Sequence, residues 1–244
     1  ETGSGWRLVA VEPSYDHFLG RAARRPVASP PSGSVPNAGA LLAACAGLHG
    51  SPPDLVAIDM PLSLEPITGR RVSDDAVSRH YARARAGTHS PSRDRPGALS
   101  DALRLAFAHA GYGLQLATPL TCPGLLEVYP HPALIALLGR NERLPYKAGK
   151  IGRYWPLASV GERRHRLVET WREVAHALEG RIAGVAAVLP VPAPNASGAA
   201  LKTYEDQLDA VVCAWVGITA LEGKATPFGD TVSAIWCPSH LRHT

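Results

Sequence analysis

The chain has 244 residues, with 25 Lys and Arg against 21 Asp and Glu, a formal charge of +4 and a pI near 9.0. Its 45% hydrophobic fraction is ample for the core of one α/β domain. There is no apolar run of the roughly 18 residues a membrane span needs, and no basic segment followed by an apolar stretch at the start, so the expectation is a soluble, cytoplasmic protein without a membrane segment.

Taken in chain order, residues 6–11 read as a strand, 18–25 as its hairpin partner and the Pro/Ser/Gly-rich stretch 26–38 as a loop. The Ala/Leu-rich stretch 38–48, ended by Gly50 and the Pro52-Pro53 pair, predicts a helix. Residues 55–58 are wholly apolar, as a strand buried on both faces of a parallel sheet would be. A helix over 73–86 follows, with Ser73 as N-cap and Asp74 and Asp75 in the first turn, where the helix dipole favours them. Then come a loop over 88–97, a helix over 100–110, a strand over 125–129 and a helix over 133–138. A basic connector, 140–156, leads to an amphipathic helix around 160–178, and a Pro-rich segment, 189–194, leads to a helix over 202–221 and a closing strand over 232–236. Strands alternating with helices predict a single α/β domain over 1–244, with the polar, helical 60–124 stretch as a flap over the sheet.

The four cysteines, Cys45, Cys122, Cys213 and Cys237, are widely separated and lack CxxC spacing, which excludes a zinc-ribbon pattern and a dense disulfide framework; they read as reduced thiols. Arginine and histidine concentrate in 70–95 and again in 140–166, a distribution that suits a polyanionic partner.

Three segments carry the acids of interest. Leu55-Val-Ala-Ile-Asp59-Met-Pro61 delivers an aspartate at the C-terminal end of an apolar strand, where open α/β sheets place their ligands, although Asp59 also reads as a turn former before Pro61. Leu125-Leu-Glu127-Val-Tyr-Pro130-His131 interrupts an apolar strand with a glutamate, costly to bury without a partner but unremarkable if it faces water. Tyr204-Glu205-Asp206-Gln-Leu-Asp209 places two aspartates three apart on one helical face, with Asp209 entering a strongly apolar run; Glu205 and Asp206 read equally as dipole partners near a helix start. Carboxylates converging in this way suit hard cations such as Mg2+ or Mn2+.

These residues resemble the DUF429 group of predicted RNase H-like nucleases. The resemblance rests on Gly5-Trp6, Ile58-Asp59-Met-Pro61-Leu62, the Arg71/Asp75/Arg79 spacing, Glu127-Val-Tyr-Pro130-His131-Pro, Pro145-Tyr-Lys147 followed by Arg153, Asp206-Gln-Leu-Asp209-Ala and Ile235-Trp-Cys-Pro238, in order over nearly the whole chain. It implies an RNase H-like mixed sheet flanked by helices, with Asp59, Glu127, Asp206 and Asp209 as catalytic metal ligands for Mg2+ or Mn2+. Arg71, Arg79, His131, Lys147 and Arg153 would contact nucleic acid, and a structural salt-bridge network is an equal reading for Arg71, Asp75 and Arg79. The implied activity is phosphodiester hydrolysis, with an inactive nucleic-acid-binding module as the alternative. RNase H-like folds open with a strand bearing a first catalytic aspartate; Glu1 is the only acid available there, so native residues preceding Glu1 are expected. Gly-rich loops for an ATP-dependent phosphotransferase and a nucleophile elbow for serine or cysteine hydrolysis are missing. Oligomeric state, homodimer included, is left open.

Overall fold

The computed structural model describes residues 6–9 and 37–239. In chain order these form α1 (Ala38–His49), β1 (Leu55–Ile58), α2 (Val72–His80), α3 (Gly97–His109), β2 (Gly113–Leu114), β3 (Gly124–Val128), α4 (Pro130–Leu138), a 3-10 turn (Ala148–Lys150), α5 (Ile151–Tyr154), α6 (Val160–Glu179), α7 (Val185–Val188), α8 (Gly198–Leu221), β4 (Ala225–Gly229) and β5 (Ala234–Pro238). The sheet runs β1-β3-β5-β4, with β2 also pairing β3. β1, β2 and β5 lie parallel to β3, and β4 is antiparallel to β5, so this is a mixed sheet flanked by helices.

Local chemistry explains the element ends. Asn37 accepts the Ala40 N–H at 2.9 Å to start α1, and Gly50 at φ 86 closes it with the left-handed conformation glycine takes at little cost. Pro130 opens α4 at a position whose N–H has no helical partner in any case. Ser159 and Glu162 form a capping box on α6, each side chain bonding the other's backbone N–H. Ser159→Ala should therefore cost about 1 kcal/mol, measured as a lower urea midpoint with unchanged slope.

Strand alternation sorts the core. Leu126, Val128 and Trp236 point to a layer made by α4, α6 and α8, where Trp171, Leu134 and Val212 are fully buried. Leu125 and Ile58 point the other way, onto Leu103 and Phe107 of α3, and Ile235 and Cys237 onto Val77 and Tyr81 around α2. The pleat thus decides which chemistry each polar strand residue can join. Glu127 pairs in register with Ile58 and shares the Leu125 side; Asp59, one residue beyond Ile58, follows Ala57 toward α8.

Several sequence expectations are refined. The strand expected over 6–11 is a single bridge between Arg7 and Ala183 within the described part, and the expected hairpin strand over 18–25 and most of the 26–38 loop lie outside the described residues. The helix expected over 73–86 ends at His80, and the 60–124 stretch is not helical throughout, since β2 joins the sheet from within it. β4 was not anticipated. No helix of the described residues is long and apolar enough to cross a membrane.

Candidate functional site

Two charged assemblies meet near the C-terminal ends of β1 and β3. The first lies on the Glu127 side of the sheet. Both Glu127 oxygens are held by Arg71, Oε2 by Nη1 at 2.6 Å and Oε1 by Nη2 at 2.7 Å, and Oε2 also accepts the Leu62 N–H at 2.6 Å. Arg71 further donates from Nε and Nη2 to Asp74 and from Nη1 to the Leu62 carbonyl. The five N–H donors of a guanidinium are then all spent inside the protein. Arg71, Asp74 and Glu127 are all buried. Burial pushes the Glu127 carboxyl up, to about 7, against the Arg71 bonds that pull it down. Those same bonds, outweighing burial, raise the Arg71 guanidinium, so Arg71 keeps its proton and we read the pair as ionic at neutral pH.

This network clamps the turn that carries Asp59. Leu62 is bonded through both its N–H and its carbonyl, and Ser100 Oγ donates to the Pro61 carbonyl. Arg71, expected to contact substrate, is thus committed to structure, as is Glu127, expected to hold metal. Asp75, in the same predicted spacing, pairs with Arg70 at 2.5 Å, and Arg79 is exposed.

The second assembly is on the α8 side. Glu205, Asp206 and Asp209 each offer an oxygen within 4.8 Å of the others. Spacings of three and four put them on one face of α8. Glu205 and Asp209 are buried, and Asp206 is partly open. A short segment ending at the 3-10 turn is bonded onto them: Tyr146 OH donates to Asp209 Oδ1 at 2.8 Å, Lys147 Nζ to Oδ2 at 2.5 Å, and the Ala148 N–H to Glu205 Oε2 at 2.6 Å. Trp171 Nε1 donates to the Tyr146 carbonyl at 2.8 Å and fixes that segment from the core. Lys147 also stands 3.5 Å from Glu205, and Lys202 contacts both Glu205 and Asp206.

Asp59 completes the picture electrostatically. Asp59 is an exposed residue, but its carboxyl is desolvated where it faces the protein, and this desolvation, with the Asp209 charge next in size, pushes it up to about 7 against the pull of Lys147. Asp209 is likewise raised by burial while Lys147 and Tyr146 pull it down. Lys147 is raised by Asp209 and Glu205, which outweigh burial, so it stays an ammonium. The structure therefore gathers Asp206 and Asp209, brings Asp59 within electrostatic reach of Asp209, and adds Glu205, which the sequence offered only as a dipole partner. Its position four residues before Asp209 was the available signal.

The remaining expected contacts diverge. Lys147 lies in the acid cluster, Arg153 is exposed on α5, and His131 is buried at the start of α4, edge-on to Tyr129 and Tyr146 with ring centroids 5.3 and 5.1 Å away.

A mixed α/β sheet whose strand end and neighbouring helix bring carboxylates together defines an α/β protein with an acid-centred site. The chain belongs to the DUF429 family, whose model, described as "Protein of unknown function (DUF429)", matches residues 2–233. No curated protein and no solved structure matches it.

Proposed function

We propose that this protein is a metal-dependent nuclease of the RNase H-like type, hydrolysing phosphodiester bonds of nucleic acid. The observation that carries this reading is the set of three carboxylates on one face of α8, within 4.8 Å of one another, beside the strand-end Asp59. An all-carboxylate donor set suits Mg2+ or Mn2+, so Glu205, Asp206 and Asp209, with Asp59, are the residues that would hold it. Such ions, when bound, stabilise the attacking water and the leaving oxygen of a phosphodiester.

The chain's own residues do the rest. Tyr146 orients Asp209 through Oδ1, leaving Oδ2 to Lys147. Lys147 and Lys202 offset the mutual repulsion of the acids, and a Lys147 ammonium displaced from Asp209 by a cation would be free to pair with a substrate phosphate. The Arg71 network holds the Asp59 turn in register with α8.

Single-stranded, duplex, hybrid and branched oligonucleotides incubated with the protein and Mn2+ or Mg2+ test this reading. Cleavage of at least one, abolished by EDTA, is expected; intact substrates under every condition overturn it. A second reading, a binding module without catalysis, is favoured by Lys147 standing between Glu205 and Asp209, and it predicts retention of oligonucleotide without cleavage.

The raised Asp59 carboxyl sets a pH dependence. Its protonated form is favoured in the metal-free folded state, so this contribution to stability is present at low pH and lost as pH rises through about 7. A cation takes the deprotonated carboxylate and meets less proton competition above that pH. The Mn2+-induced rise in Tm is accordingly expected to grow across neutrality, read by thermal unfolding with and without Mn2+ in buffers on either side of it. An increment independent of pH contradicts a role for Asp59.

A further inference from the structure

Beside the acid cluster lies a group of polar side chains that the fold leaves without partners. His131 is 4% exposed, and its Nδ1 is buried with no hydrogen-bond partner. Arg143 Nε and the Tyr154 hydroxyl are also buried and unpartnered. Buried polar atoms left unpaired are costly, and His131 Nδ1 is such an atom beside Tyr146, three residues after Arg143 and one before Lys147.

Their surroundings are cationic. Burial first, then the charges of Arg143, Lys147, Lys150 and His89, hold His131 far below its ordinary range, so it is neutral. Lys150 is itself lowered by burial and by Arg143, Lys147 and Arg153. Tyr129 connects the two groups: Asp59 and Tyr154 raise its phenol, Arg143 and Lys147 lower it, and burial dominates. Its hydroxyl donates to the Gly87 carbonyl at 3.1 Å, and the Arg143 backbone N–H to the Ala84 carbonyl at 2.9 Å, so the loop after α2 touches both residues. Lys147 is neutralised by Asp209 and Glu205, whereas Arg143, Lys150 and Arg153 form no ion pair among the described residues.

We infer that Arg143, Lys150, His131 and Tyr154 form a pocket for a terminal phosphate monoester of a nucleic-acid strand, adjacent to the carboxylate site. The charge chooses the ligand. A phosphodiester linkage brings one negative charge, whereas a terminal phosphate brings close to two at neutral pH and three acceptor oxygens. Those oxygens match a guanidinium, an ammonium, a phenol and a neutral imidazole N–H. His131 packs edge-on against Tyr146, whose hydroxyl bonds Asp209, so a strand end anchored at His131 lies on the side of the carboxylates. This inference rests on the nuclease reading for its substrate class, but not for its binding site.

The test uses the whole protein in EDTA, so that metal and cleavage play no part. Calorimetric titration compares inorganic phosphate and one short single-stranded oligonucleotide carrying a 5′-phosphate, a 3′-phosphate or neither. At least one phosphorylated end should bind about tenfold or more tightly than the hydroxyl-ended strand, and that preference should vanish in Arg143→Gln. Lys150→Gln, at a more open residue, should reduce the preference in a protein whose circular dichroism and Tm match wild type. Equal affinity for all three oligonucleotides, or an undiminished preference in folded Lys150→Gln and Arg143→Gln, overturns the inference. Cleavage with Mn2+ that ignores the terminal phosphate fails this pocket alone; a terminal-phosphate preference without any Mn2+-dependent cleavage fails the nuclease reading alone.

Discussion

Arg71→Leu is expected to destabilise the protein by about 3–5 kcal/mol, the usual cost of removing one partner from a buried ion pair. Five hydrogen bonds end at once, and Asp74 and Glu127 are left buried without a cation. Urea unfolding measures the loss. A triple variant that also replaces Asp74 and Glu127 with apolar residues should recover much of it, because the penalty lies in the stranded charges rather than in the lost attraction. Since the network also grips Leu62 from both backbone sides, Arg71→Leu should weaken any activity that depends on Asp59 even where folding is retained. A stability change below about 1 kcal/mol would mean the network is solvated in solution, against its burial here.

Asp209→Asn carries the largest expected effect on activity. Outer-shell partners of a metal ligand cost about 10–100-fold when removed, so loss of a charged ligand should lower Mn2+-dependent cleavage by more than about 100-fold. The protein should remain folded, because asparagine can still accept from Tyr146 OH through its carbonyl and Lys147 retains Glu205. Unchanged cleavage by a folded Asp209→Asn protein would remove the carboxylates of α8 from the chemistry.

Much of the fold could be read from pattern. β1 was legible because four apolar residues are bounded by the Pro52-Pro53 pair and Asp59, and α6 because its amphipathic spacing is long. β4 was not, since Ala-Thr-Pro-Phe-Gly contains the two residues that usually end strands; Pro227 is tolerated because β4 pairs only with β5 among the described residues. β2, two residues long, offers no period to detect.

The site was legible in type more than in grouping. Asp206 and Asp209 share a helix face by local spacing alone, and Asp59 could be placed by its strand end. Glu127 separated from them because a period-2 strand turns it to the opposite side of the sheet, where Arg71, 56 residues earlier in the chain, meets it. Pairings over such distances, like that of Lys147 with Asp209, leave no trace in the spacing of one sequence.

The central claim is that Glu205, Asp206 and Asp209, with Asp59, hold a divalent cation. Anomalous diffraction from crystals soaked in Mn2+ tests it most directly: the account predicts a manganese peak between these carboxylates with the Lys147 ammonium moved away from Asp209. A map with Lys147 still bonded to Asp209 and no peak at the cluster would contradict it.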